Sequence, residues 1–496
     1  MIPHTSPSLH NFEDIHTMTT LTGTADKTAS TLGTAGLMVL LAGQLLPQID
    51  FSIVNVALDA IAQTFHATPT ELELIVAVYG VAFAVCLAMA GRLGDNFGRR
   101  RLFLWGVQVF GVASLLCGLA GSIWMLLAAR ILQGVGAALI VPQILATIHV
   151  GLSGHERSRA IGYYGAIGGL AFIIGQVLGG FLVSTDIAGL GWRSVFLINL
   201  PICAALLIAT PRWIPETTRG IKVNIDWPGT ALLATLIVCL LVPLALGPVK
   251  HWAWPYIALL IAVLPLVALL WKTELRQEKR NAHPLLPPAL LRIPSTRFGL
   301  VIAVLFFSCW SGYMFAMALT LQSGAGLSPL HAGNAFIALG AAYFLSSLTS
   351  ARVAKRLGQA PTLILGCAVQ MAGLLGVMLT LKLVWPHPNL LNLIPATLFI
   401  GYGQALIVGS FFRIGLSDVP TDQAGAGSSM LSTVQQASFG LGSALLGTVL
   451  AQTLRLGGNY LHAIVAALST EFGIMAVLLI STVIYHFRHG KKRAPQ

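Results

Sequence analysis

Long apolar stretches limit how this chain can fold more than any other feature. Between residues 36 and 487, fourteen segments are apolar for long enough to cross a bilayer, the first at 36–58 and the last at 469–487. A spanning helix needs about 20 such residues. Charged residues make up only 9% of the chain, against about 25% in an average soluble domain. Such a chain cannot coat a water-soluble surface, and it is too apolar to remain disordered. The runs are rich in Leu, Ala, Ile, Val and Gly and lack the alternation of a transmembrane barrel. The expected fold is all-α and polytopic, with 14 transmembrane helices.

Charge placement supports the even count. With the N-terminus inside, 24 of the 29 Lys and Arg residues fall in cytoplasmic segments. Arg193, Lys250, Lys382 and Arg455 fall outside, and Arg130 alone lies within a span. This follows the positive-inside rule, so the net charge of +12 needs no nucleic-acid partner. Losing one helix in the middle would invert the bias downstream. Both termini are therefore expected in the cytoplasm. The six cysteines all lie inside apolar runs and form no CxxC pair, so they read as small core residues.

A faint repeat organises the spans. GRLGDNFGRRRLFLWG (91–106) matches ARVAKRLGQAPTLILG (351–366) at Arg92/Arg352, Gly98/Gly358 and Gly106/Gly366. Both segments leave the second helix of a six-helix block and enter the third. The expected divisions are a polar tail at 1–35, a six-helix bundle at 36–212, and two inserted helices with a loop at 213–297. A second six-helix bundle at 298–487 and a basic tail at 488–496 complete the chain. Parallel repeats of this kind are a transporter device.

The loop GRLGDNFGRRR carries the strongest local signal. Gly91, Gly94 and Gly98 permit a tight turn, and Asp95 stands among Arg92, Arg99, Arg100 and Arg101. Arginine forks bind carboxylates in fixed geometry, which suits a latch between helix bundles. A short basic loop obeying the topology rule would look the same.

This loop resembles the signature loop between the second and third helices of the major facilitator superfamily. LPQIDFSIVNVALDAI (46–61) resembles the first-helix motif of its fourteen-helix drug:proton antiporter branch. LLAARILQGVGAALIVP (126–142) resembles the fourth-helix motif, and IIGQVLGG (173–180) the antiporter motif of the fifth, with Gly175, Gln176, Gly179 and Gly180. GWRSVFLINLP (191–201) resembles the start of the sixth helix in that branch. The chain departs from the motifs at Gln176 and Asp59, where proline is usual, and at Ser52, where threonine is usual. The resemblance implies the major facilitator fold: two six-helix bundles, here with two helices inserted between them. It also implies proton-coupled export of amphiphilic or cationic compounds by alternating access. Transport of one specific metabolite on the same fold is the alternative.

Among the 17 acidic residues, Asp50 stands out as the one deep in an apolar run; the others read as lying at ends or in loops. A charge at that depth costs about 2.5–3.5 kcal/mol on insertion scales and is a functional candidate by default. Asp50 precedes Asp59 by nine residues and Arg130 follows Ser122 by eight, placing both roughly 12–14 Å from the same membrane face. Burial disfavours the charged carboxylate and an arginine favours it, so Asp50 and Arg130 are the candidate proton-coupling pair. A static pair fixing helix packing is the other reading. Gln48, Asn55, Gln133, Trp310 and Tyr313 are candidates for a substrate cavity. The ninth span's Phe306, Phe307, Trp310, Tyr313 and Phe315 form either an aromatic wall for lipophilic cations or bulk facing lipid.

No GxxxxGK[ST], HExxH or GxSxG motif occurs in the chain, so ATP, metal and nucleophilic chemistry are not indicated. No cofactor is expected. The expected partners are an amphiphilic small molecule, protons and the lipid bilayer, with the chain acting as a monomer.

Overall fold

The computed structural model describes residues 32–217, 226–247, 252–280, 286–420 and 424–489. The expected polar tail up to residue 31, the basic tail from 490, and the basic positions Arg219, Lys222 and Lys250 lie outside the described residues. The described chain contains no strand.

Among the described residues, fourteen long helices follow one another. The first six are α1 (Thr34–Phe65), α2 (Pro69–Phe97), α3 (Arg99–Gly118), α4 (Ile123–Gly151), α5 (Gly154–Thr185) and α6 (Asn199–Trp213). Next come α7 (Trp227–Leu246) and α8 (Trp254–Lys279). The last six are α9 (Pro294–Leu319), α10 (Ile337–Leu357), α11 (Gln359–Val384), α12 (Leu390–Gly415), α13 (Ala424–Arg455) and α14 (Tyr460–His489). Thirteen spans are long and apolar enough to cross a membrane as single helices; α2 makes the fourteenth as a broken span, bent by 49° between Leu87 and Met89.

Local chemistry sets the helix starts. Thr68 and Glu71 form a reciprocal capping box at the head of α2, with Pro69 in the first turn. Ser122, Asp226 and Asn389 cap α4, α7 and α12 through their side chains. At the head of α14, Asn459 accepts from the His462 N–H at 2.9 Å. That cap begins the helix nine residues before the expected 469. Glu471 therefore becomes the twelfth residue of α14 and is fully buried. The expectation that Asp50 is alone at depth is corrected accordingly. The apolar run YLHAIVAAL, not the hydropathy minimum around Ser469, marks the beginning of the span.

The packing itself repeats. α1 packs on α5, α2 and α3 on α4, and α3 on α6. In the same pattern α9 packs on α13, α10 and α11 on α12, and α11 on α14. The two sets meet where α2 packs on α13, α5 on α10 and α1 on α9. Burial ranks the helices: 78% of the apolar stretch is buried in α1 and in α9, but only 6% in α8. The inserted α7 packs on α2 and α13 together, with Ala84, Leu233, Ile237, Leu241 and Leu270 forming a small separate core. Thr448 of α13 also donates to the Leu244 carbonyl of α7 at 2.8 Å. The ninth-span aromatics are corrected from one of their two readings. Phe306, Phe307, Trp310, Tyr313 and Phe315 are all buried within the protein, so they do not face lipid.

Candidate functional site

α1 carries Asp50 into the interior of the first six helices, where its side chain is fully buried. Arg130 of α4 donates through Nη1 to Asp50 Oδ2. Gln133, one turn further along α4, donates to Oδ1 at 2.7 Å, and Asn199 of α6 donates to the same oxygen at 2.9 Å. Ser114 of α3 accepts from both amides, at 2.9 and 3.3 Å. Arg130 also donates to Gln133 Oε1 at 2.7 Å and, through Nε, to the Ile75 carbonyl at 3.1 Å. Its guanidinium carbon lies 4.2 Å from the Tyr79 ring centre, a cation–π contact. Tyr79 in turn donates to the Pro47 carbonyl at 2.9 Å.

The carboxylate is thus held by one cation and two amides in a site closed to solvent. Such a pair is costly to desolvate and is costlier still to break from one side. Arg130 Nη2 has no hydrogen-bond partner among the described residues. Gln133, read from sequence as a cavity residue, belongs to this network instead. Its amide is used up on Asp50, Ser114 and Arg130. Asn199 and Ser114 were not singled out in the sequence. Asn199 does stand within the sixth-helix motif, but its partner lies 149 positions away.

The other face of α1 lines a pocket between the two sets of helices. Gln44 and Gln48 of α1, Tyr164 of α5, Phe307 and Trp310 of α9 and Phe439 of α13 contribute to its wall. Phe307 and Trp310 lie parallel with centroids 6.2 Å apart, and Phe51, beside Asp50, meets Phe439 at 5.4 Å. Asn55 and Tyr313, also read as cavity residues, are buried elsewhere. Asn55 Oδ1 and the Tyr313 hydroxyl find no partner among the described residues.

Beyond the pocket, at the end of the molecule opposite the Gly91–Arg101 turn, the two sets are bonded together. Ser323 donates to Asp59 Oδ1 at 2.9 Å, and the Leu330 N–H donates to Ser184 Oγ at 2.9 Å. Asp59 is 15 residues beyond Gln44 on α1, or about 22 Å along the helix. Gly175 lets α5 lie directly on α1, since a Cβ there would stand 2.6 Å from the Ile49 carbonyl oxygen. Gly179 faces the Ile53 carbonyl, and Gly180 faces Pro329 and Gly333 of the other set. Gln176 is fully buried between them, with neither amide atom partnered among the described residues.

At the other end, Gly98 joins α2 to α3 with φ +100°, a conformation that favours glycine. Asp95 accepts from Arg99 at 2.6 Å, and Arg99 also reaches the Ala146 carbonyl of α4 at 3.3 Å. Glu216, after α6, accepts from the backbone N–H groups of Arg100 and Arg101 at 3.0 and 3.3 Å. A carboxylate at a helix N-terminus is favoured by the helix dipole. Arg92 lies within electrostatic reach of Asp226 and Glu274 on the inserted pair, as well as Asp95. Gly91 and Gly94 face Pro142 and Gln143 of α4.

Repeated six-helix packing about an interbundle pocket is the architecture of a transporter. The Major Facilitator Superfamily model matches residues 40–443, and the chain belongs to that family. It is 36% identical over 412 residues to the probable actinorhodin transporter of Streptomyces coelicolor, covering 82% of this chain and 70% of that one. It is 34% identical over 408 residues to the puromycin resistance protein of Streptomyces alboniger, covering 81% and 78%. Among solved structures, the human organic anion transporter MFSD10 shares the fold with a TM-score of 0.60 at 16% identity, covering 90% of this chain and 99% of that one. The chain is a multi-pass membrane protein of a family whose relatives include drug and antibiotic exporters.

Proposed function

We propose that this protein exports amphiphilic small molecules across the cytoplasmic membrane of a bacterium in exchange for protons. The observation that carries the reading is the double role of α1. One face holds Asp50 against Arg130, and the other presents Gln44 and Gln48 to the interbundle pocket, with Phe51 packed on Phe439 of its wall. A proton arriving on Asp50 removes the charge that Arg130, Gln133 and Asn199 hold in place. The helix is then free to turn, and the pocket wall turns with it. Return of the pair requires the proton to leave. This is one bistable element biased by two ligands, which is what coupling requires.

Placing the basic loops in the cytoplasm puts both termini inside. Asp59, Ser184, Ser323 and Leu330 then close the outer side, and the pocket lies on the cytoplasmic side of that closure. The two sets of six helices move against each other, with Asp95 and the surrounding arginines latching the inner end. The aromatic wall of Phe307, Trp310 and Phe439 suits flat lipophilic or cationic compounds. The relative named for a single product, actinorhodin, favours a second reading in which one metabolite is the cargo.

Cells expressing the protein should accumulate less ethidium and puromycin than control cells. A protonophore should abolish the difference. Accumulation equal to control cells for these and for other aromatic compounds would reject the broad reading in favour of the single-cargo one.

A further inference from the structure

Glu471 is a fully buried acid that the mechanism above leaves unused. It projects from α14 toward Gln370 of α11, whose Nε2 lies 3.5 Å from Glu471 Oε1. Cys309 of α9 donates to the Glu471 backbone carbonyl at 3.8 Å. No ion pair reaches Glu471 among the described residues, unlike Asp50. Its Oε2 has no hydrogen-bond partner there, and neither does Gln370 Oε1.

Two acceptors on side chains that already meet through their other atoms both lack a donor, and this defines what the site needs. An ionised carboxylate only accepts, whereas a protonated one carries an O–H that can donate. One proton on Glu471, directed at Gln370 Oε1, satisfies both atoms together. Leaving them unsatisfied at this depth is costly. Among the described residues, the surroundings supply no competing charge. α9 offers Cys309 and Tyr313, and α11 offers Cys367. Lys382 and Arg455 stand at the far ends of α11 and α13, and the turn Thr320–Gly324 carries no titratable side chain.

The repeat gives this site a counterpart. In order of helices, α9, α11 and α14 correspond to α1, α3 and α6. Asp50 stands on α1, its donor Asn199 on α6, and Ser114, which accepts from Asn199, on α3. Cys309, Gln370 and Glu471 occupy the related three, with the acid moved to the last helix. Glu471 also stands one contact away from the pocket wall. Cys309, which touches its backbone, directly precedes Trp310 of the pocket wall.

We propose that Glu471 is a second proton-binding carboxyl, loaded and unloaded during transport, so that each six-helix set carries one acid. The proposal rests on the proton-exchange reading and deepens it. The first test is infrared absorption of the purified full-length protein, wild type, E471Q, E471D and D50N, titrated over the pH range in which it stays folded. The protonated-carboxyl stretch should include a component that E471Q removes, E471D moves, and D50N leaves in place. Its amplitude should fall reversibly as pH rises. A component that no pH changes, or none lost in E471Q, overturns the proposal.

The second test is the proton-to-puromycin ratio in proteoliposomes. It should fall by about one proton per substrate in E471Q, since a carboxyl carries one, and recover in E471D. An unchanged ratio in a transporting E471Q protein overturns it. The infrared signal reads Glu471 directly, so it stands apart from any failure of coupling through Asp50.

Discussion

Asp50 accepts three hydrogen bonds at a fully buried position, and Arg130 fills the space between it and Tyr79. Removing one member of such a pair typically costs about 3–5 kcal/mol, because the other is left buried and uncompensated. Arg130→Ala should therefore lower the thermal stability of the purified protein. It should also move the pH profile of efflux upward, because the carboxylate loses the charge that favours ionisation. Efflux measured across pH should show both the loss and the shift. Arg130→Lys should be nearly as damaging. An ammonium cannot reach Asp50, Gln133 and the Ile75 carbonyl together while stacking on Tyr79. Near wild-type efflux in Arg130→Lys would show that charge alone matters. The two charges could be read from the sequence because they interrupt apolar runs. Gln133, Asn199 and Ser114 could not be tied to them, since polar side chains in spans have many uses and their partners are distant in sequence.

At the scale of elements, the turn between α2 and α3 and the opposite end of α1 make separate predictions. Arg99 has 8% of its side chain exposed and Arg101 has 72%, so the basic run is not uniform. Arg99→Ala should lower efflux several-fold with insertion intact, whereas Arg101→Ala should do little. Asp95→Asn should match Arg99→Ala, because it removes the same charge-assisted bond. Equal, unimpaired efflux in all three variants would make the loop a topology signal only.

Asp59 and Ser323 tie α1 to the end of α9 across the two sets. Asp59→Ala should loosen that closure and raise labelling of a cysteine placed nearby by a membrane-impermeant thiol reagent. Unchanged labelling would remove Asp59 from the gate. Helix number and order were legible because length and charge bias constrain them jointly. The start of α14 was not, because Ser469, Thr470 and Glu471 interrupt the apolar run and read as a loop, whereas the helix begins at the Gly457–Asn459 break. That one boundary hid Glu471.

Over the whole molecule, the account requires two sets of six helices that rock about a pocket, with α7 set between α2 and α13. The sequence repeat of three matched residues implied this division only weakly. The repeated helix packing displays it in four related pairings. What no sequence pattern revealed is which face of each helix meets the other set, because spans are apolar all round. A reporter active only outside the cell, fused after Gln496, should remain silent; activity there would remove a helix from the count or invert the chain.

The central claim is that Asp50 couples the proton to the cargo. Its most direct test is substrate efflux and proton uptake by Asp50→Asn in proteoliposomes under an imposed pH gradient. Asn keeps the size and hydrogen bonding but carries no exchangeable charge. The account predicts that pH-driven accumulation is lost, while substrate still equilibrates down its own gradient. Full proton-coupled transport by Asp50→Asn would contradict it.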